Sequence, residues 1–179
     1  MNNLRSNQRG VALFISLVLL LVLTIIGVSS VQSTSLEVRM ARNAHDGALA
    51  FQAAESALRQ AEDALETIGL NPASFTSQGT NGLWSIAPFG DAPRWSDDTV
   101  WSGSTSAVVS DAIVGVSEQP RYIIEFVSTI ERVENASSID EQPVIRTFNI
   151  FRITARGVGG SGNARVLLQS SFGLDANSA

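Results

Sequence analysis

The chain has 179 residues, room for one domain of ordinary size, with a formal net charge of −5 and an isoelectric point near 4.8. That acidic balance excludes nucleic acid as the main partner, which would need a basic face. Cysteine is absent, which excludes a lipoprotein anchor, a disulfide framework and thiol chemistry but leaves the redox compartment open.

Residues 1–10 form a short polar leader containing Arg5 and Arg9, two of twelve basic residues that are all arginine. Val11–Val28, VALFISLVLLLVLTIIGV, is 18 residues without a charge, 14 of them Val, Leu, Ile or Phe. At about −0.3 to −0.6 kcal/mol for each at a helix centre, bilayer insertion is favoured by roughly 4–8 kcal/mol before the polar residues are subtracted. The run spans roughly 27 Å at helical rise, the lower edge of a transmembrane helix. Arg5 and Arg9 set the topology: the leader stays cytoplasmic and the rest faces outward. A cleaved secretory signal would have a shorter apolar core, a small-residue cleavage motif and then a break in pattern.

Here the pattern continues. Apolar or small residues recur at Leu36, Met40, Ala44, Gly47, Phe51, Ala54, Leu58, Ala61, Leu65 and Ile68, in steps of three and four. Opposite charges stand four residues apart at Arg42 and Asp46, Glu55 and Arg59, and Arg59 and Asp63. Gly69 supplies a C-cap and Pro72 a stop. The simplest reading is one helix from about Val11 to Ile68. Its first third (11–28) is apolar all round and its remainder (29–69) is amphipathic; a hinge near Ser29–Ser35, where hydroxyls cluster, is the alternative.

Residues 70–120 connect this helix to the C-terminal region and hold all three tryptophans, Trp84, Trp95 and Trp101. Packing in the core and its loops is their simplest role; exposed contacts to a neighbouring subunit are the alternative. In 121–179 three strands are predicted. Arg121–Glu131 puts Tyr122, Ile124, Phe126 and Ile130 on one face. Val144–Ala155 puts Ile145, Phe151, Ile153 and Ala155 on one face and Val144, Phe148 and Ile150 on the other. Ala164–Phe172 is the third. An acidic polar loop, Glu131–Gln142, and a glycine-rich turn join them into an antiparallel meander. One face of that sheet must be buried, and the helix stripe is the surface available. The fold class is therefore α+β: a long N-terminal helix packed on an antiparallel sheet.

Several residue patterns have a chemical reading to weigh. Gly157–Gly162, GVGGSG, matches a dinucleotide fingerprint, but a strand rather than a helix follows it, so no helix N-terminus can hold a pyrophosphate; it reads as a hairpin loop. His45 is the only histidine and falls on a helix surface. Asp97 and Asp98 lack the spacing of a calcium loop. Glu55, Glu62 and Glu66 read as a solvated helix face, with an inter-subunit salt bridge as the alternative. No constellation supports catalysis, and no cofactor or metal is called for.

The order of parts, a basic leader ending in glycine, an apolar helix, an amphipathic continuation and a C-terminal domain, resembles a type IV pilin precursor. The matching residues are NQRGVALFISL. Ser33–Glu62 and Phe151–Phe172 narrow the resemblance to PilX-type minor pilins of type IV pilus systems. The resemblance implies cleavage by prepilin peptidase between Gly10 and Val11, with Val11 a candidate for N-methylation. It also implies a pilin-like fold and partners among other minor pilins, the major pilin and the inner-membrane assembly platform, with membrane lipid around the helix before assembly. Most pilins carry glutamate at the fifth mature position, where it meets the N-terminal amine of a neighbouring subunit; this chain has Ile15. A subunit lacking that carboxylate can still offer its own amine at Val11, as expected at or near a filament tip.

These features imply a non-catalytic minor pilin of a priming or tip complex, supporting pilus assembly, twitching motility and surface attachment. It would sit in the inner membrane with a cytoplasmic N-terminus and a periplasmic domain, then in a pilus at the cell surface. A tip-type pseudopilin of a type II secretion system and a signal-anchored periplasmic binding module are the competing readings.

Overall fold

The computed structural model describes residues 8–68, 71–134 and 144–176. The chain divides into two compact units, Met1–Ala44 and His45–Ala179.

Helix α1 (Gln8–Ile68) is unbroken through Ser29–Ser35, as the simpler reading expected. The hydroxyls there are accommodated within the helix: Thr34 Oγ1 donates to the Ser30 carbonyl at 3.1 Å. Gly69, the predicted cap, lies outside the described residues. Pro72 instead opens a short 3-10 turn, Pro72–Ser74, capped by the Asn71 side chain, which accepts from Ala73 N at 2.9 Å.

In the second unit, five strands form one sheet: β1 (Leu83–Ser85), β2 (Ala107–Val108), β3 (Arg121–Glu134), β4 (Val144–Val158) and β5 (Arg165–Asp175). The order is β1-β3-β4-β5, with β2 also on β3. β3, β4 and β5 make the expected antiparallel meander, and each runs a few residues past its predicted end. The connecting region adds the two short strands. β1 pairs parallel to β3 and β2 antiparallel, so the sheet as a whole is mixed. The predicted polar loop between β3 and β4 falls mostly outside the described residues.

The helix covers one sheet face. Ala61 and Leu65 pack with Phe75, Ile124, Phe151 and Ile153, while Ala57 meets Val109 and Ala155. Three tilted ring pairs among Phe75, Phe126 and Phe151, with centroids 5.4–6.0 Å apart, close this layer. The buried helix stripe is Ala50, Ala53, Ala54, Ala57, Ala61 and Leu65. Phe51, placed on the stripe by sequence, is instead 47% exposed. At this level of the helix the packing face is turned toward the alanines because Gly157 of β4 comes too close to Ala50 and Ala54 to admit larger side chains.

One strand assignment is corrected. The β3–β4 register shifts between Phe126 and Ser128, so Val127 is an extra residue. A one-residue insertion exchanges the two faces beyond it. Ile130 therefore pairs with Phe148, on the face opposite Phe126 and Phe151.

The second sheet face is also covered. Trp84, Val100 and Trp101 pack on Ile123, with Trp95 at the margin. Both buried indoles are anchored by hydrogen bonds: Trp84 Nε1 donates to the Thr105 carbonyl at 2.8 Å and Trp101 Nε1 to that of Trp95 at 3.0 Å. Trp84 and Trp101 are core residues with Trp95 packed beside them, and the connecting region forms a layer of its own.

Candidate functional site

The apolar third of α1 is exposed on every side. Its large side chains range from 40% accessible at Val18 to 73% at Leu13, and the helix is long and apolar enough to cross a membrane. Its two hydroxyls bond to their own backbone: Ser16 Oγ donates to the Leu13 carbonyl at 2.8 Å and Thr24 Oγ1 to that of Leu21 at 2.7 Å. No donor in the span therefore needs water, which is what an apolar surround demands.

Gly10 and Val11 lie in the opening turns of α1, both exposed. Ile15, also exposed, lies one turn further on, and the first acidic residue in the chain is Glu37. Arg9 belongs to the first turn, and Arg5 lies outside the described residues.

Where α1 enters the second unit, Asp46 is held by the glycine-rich loop. Its Oδ1 accepts from Ser161 N at 3.0 Å and its Oδ2 accepts from Ser161 Oγ. These bonds hold its carboxyl below the ordinary aspartate value, the side-chain bond most strongly. GVGGSG is thus a hairpin loop, as read from sequence, with the Gly159 N–H donating to the Ala164 carbonyl at 2.8 Å and Gly162 in the left-handed region at φ 78°. It is also the place where the sheet docks on the helix: a Cβ on Gly159 would lie 2.5 Å from Asp46 Oδ1. Asp46, which the i, i+4 spacing offered to Arg42, takes its hydrogen bonds from this loop. Arg59 does pair with Glu55 at 2.5 Å, in an exposed bridge of small energetic weight.

On the far face of the sheet a polar cluster lies beneath the tryptophan layer. Glu125 is 1% exposed, and its Oε2 accepts from Arg152 Nε at 3.1 Å. Burial pushes the Glu125 carboxyl up, while the charges of Arg152 and Arg94 pull against it. Glu125 Oε1 and Arg94 Nε find no hydrogen-bond partner among the described residues; Arg94 contributes its charge and stacks over Trp84 at 5.1 Å. Arg156 likewise covers Trp101 at 5.5 Å and bonds Glu118 at 2.9 Å. Two arginines thus pin the tryptophan layer to the sheet, a role no spacing rule exposed. The only hint in sequence was a lone carboxylate in YIIEFV.

The remaining candidates take structural places. His45 is exposed on α1. Asp97 caps the turn Asp98–Trp101 by accepting from Thr99 N at 2.9 Å. Among the described residues, no group of three or more acidic or histidine side chains could hold a metal. A groove of about 410 Å³ between α1 and the segment after β2 is lined mostly by polar residues, among them Gln60, which makes two hydrogen bonds to Ser110.

What stands out is an anchor-like helix continuing into a helix-on-sheet domain. Two family models cover that arrangement: PilX N-terminal matches residues 9–59, and the Type IV pilus assembly protein PilX C-terminal model matches residues 52–174. The chain belongs to the PilX family. No curated protein and no solved structure gives a match. The two models meet on α1 and together take in both units, so this PilX-type chain is a type IV pilus assembly protein along nearly its full described length. Its apolar helix is consistent with a membrane anchor in such a system.

Proposed function

We propose that this PilX-family chain is a minor pilin that acts by contact, with no turnover, in a priming or tip complex of the type IV pilus. In this reading prepilin peptidase cleaves between Gly10 and Val11, and Val11 becomes the N-methylated terminus. Gly10 in the first helical turn favours this, since glycine weakens a helix by about 1 kcal/mol and the turn has few bonds to lose. Arg5 and Arg9 hold the leader in the cytoplasm, and the C-terminal domain faces the periplasm. Val11–Val28 first lies in lipid and then among the equivalent helices of other pilins, so assembly never exposes it to water.

One observation carries the reading: an apolar segment exposed all round, with both hydroxyls satisfied internally, continuous with the helix of the folded domain. Ile15 in place of a carboxylate supports a position with few or no subunits ahead, from which pilus assembly, twitching motility and attachment would be supported. The test is N-terminal mass spectrometry of protein made with and without prepilin peptidase. The expected result is a chain starting at Val11 only when the peptidase is present, and uncleaved Gly10→Val in both cases. A chain trimmed beyond Val28 by signal peptidase would overturn the proposal.

A further inference from the structure

β5 ends the sheet, and among the described residues nothing pairs with its outer side. It is a long and unguarded edge. Its 11 residues carry charge only at the ends, Arg165 and Asp175, with VLLQSSFGL between them. Soluble sheets usually blunt such edges with lysine, proline, a bulge or a short strand, and the β4–β5 register runs without a shift.

Apolar cover also stops at this strand. Ala155, Ile153 and Phe151 of β4 are almost wholly buried. Their β5 partners Leu168, Ser170 and Phe172, on the helix side, are only half-buried, as is Val166. Phe51, Leu58 and Glu62 recur along one flank of α1 at seven- and four-residue steps, so they share a side of the helix. Glu62 reaches the strand, its Oε1 accepting from Ser170 Oγ at 3.1 Å. Unpaired backbone, a half-covered apolar row and one carboxylate at its middle therefore lie together.

We propose that the β5 edge and the Phe51–Glu62 flank form a groove that takes an extended segment of a neighbouring pilus subunit as an added strand. The segment presents apolar side chains alternately toward α1 and an arginine or lysine toward Glu62. Backbone bonds supply affinity in such strand addition, and the alternate side chains supply selectivity. A second copy of this chain fits less well. Antiparallel self-pairing that sets Arg165 against Asp175 is centred on Ser170, so it would bring two Glu62 carboxylates together. The identity of the donor as a pilus subunit rests on the function proposed above.

The test uses full-length protein in envelopes of pilus-forming cells. Because the chain has no cysteine, Ser171→Cys, at an exposed edge position, gives one thiol for a photo-crosslinker. The expected product is an adduct with an extended segment of another pilus subunit. Its yield should fall about fivefold with Glu62→Gln. It should be lost with Leu167→Glu, which sets a guarding charge at an exposed position of the edge. Circular dichroism of each variant checks folding. No adduct, an adduct only with a second copy, or a yield indifferent to both variants would overturn the groove. The N-terminus is read from the same samples. Correct processing at Val11 without an adduct defeats the groove alone, whereas the adduct without processing at Val11 defeats the pilin reading and leaves strand addition standing.

Discussion

Gly157 sits where sheet and helix come closest. A Cβ there would lie 2.1 Å from the Ala50 carbonyl oxygen and 2.4 Å from Ala54 N. Those are backbone atoms, which cannot rotate aside, so Gly157→Ala is expected to cost about 1–3 kcal/mol. The check is the thermal midpoint of the full chain in detergent, followed by near-ultraviolet circular dichroism; an unchanged midpoint would show that strand and helix do not meet so closely. Glu125 makes a prediction that depends on pH. Its folded-state pKa is raised by burial, so its contribution to stability is full below the ordinary glutamate value near 4.5 and declines as pH rises through the folded one. Removing Arg152 raises it further. Arg152→Leu should therefore cost little in acid and up to about 3 kcal/mol near neutrality, the lower end for breaking a buried pair because Arg152 is itself partly exposed. Urea unfolding at pH 4 and pH 7 would show the difference, and equal losses at both would contradict it. At this scale the sequence was least legible. Asp46 and Glu125 look like surface charges until the loop and the tryptophan layer are placed over them.

Elements were far more readable, because each advertises its own period. The apolar run is a matter of composition and, read as a membrane anchor, makes a quantitative prediction. Replacing one central leucine by arginine costs about 3–4 kcal/mol of insertion free energy. Leu20→Arg alone should leave the chain largely in the membrane, while Leu20→Arg with Leu21→Arg should release it on carbonate extraction; retention of the double variant would show that other contacts hold the segment. The three long strands were legible from alternation and were placed to within about three residues at most ends. Their faces were legible only as far as the alternation was unbroken. Nothing in FVST marks Val127 as a bulge, so alternation alone puts Ile130 on the wrong face. The helix stripe failed in a related way. Phe51 has the right spacing, but which apolar residues face inward depends on how near the sheet approaches, and where Gly157 of β4 meets Ala50 and Ala54 there is room only for alanine.

At the scale of the molecule, Ile15 is the informative departure. In the pilus reading, Ile15→Glu would let the subunit pair with an N-terminal amine as shaft subunits do. The added carboxylate costs about 3 kcal/mol of insertion, within the favourable balance of the span. Immunogold labelling should then move from filament ends toward the shaft, and unchanged end labelling would mean that position is set elsewhere. The apolar run, the long helix and the meander followed from the residues alone, because each depends on local periodicity or on a single segment's solvation. The sheet's second cover, the mixed strand order, the clasp of Ser161 on Asp46 and the open edge of β5 were decided only by the tertiary structure. Each depends on which residues distant in the chain come to lie together, and neither period nor composition encodes that.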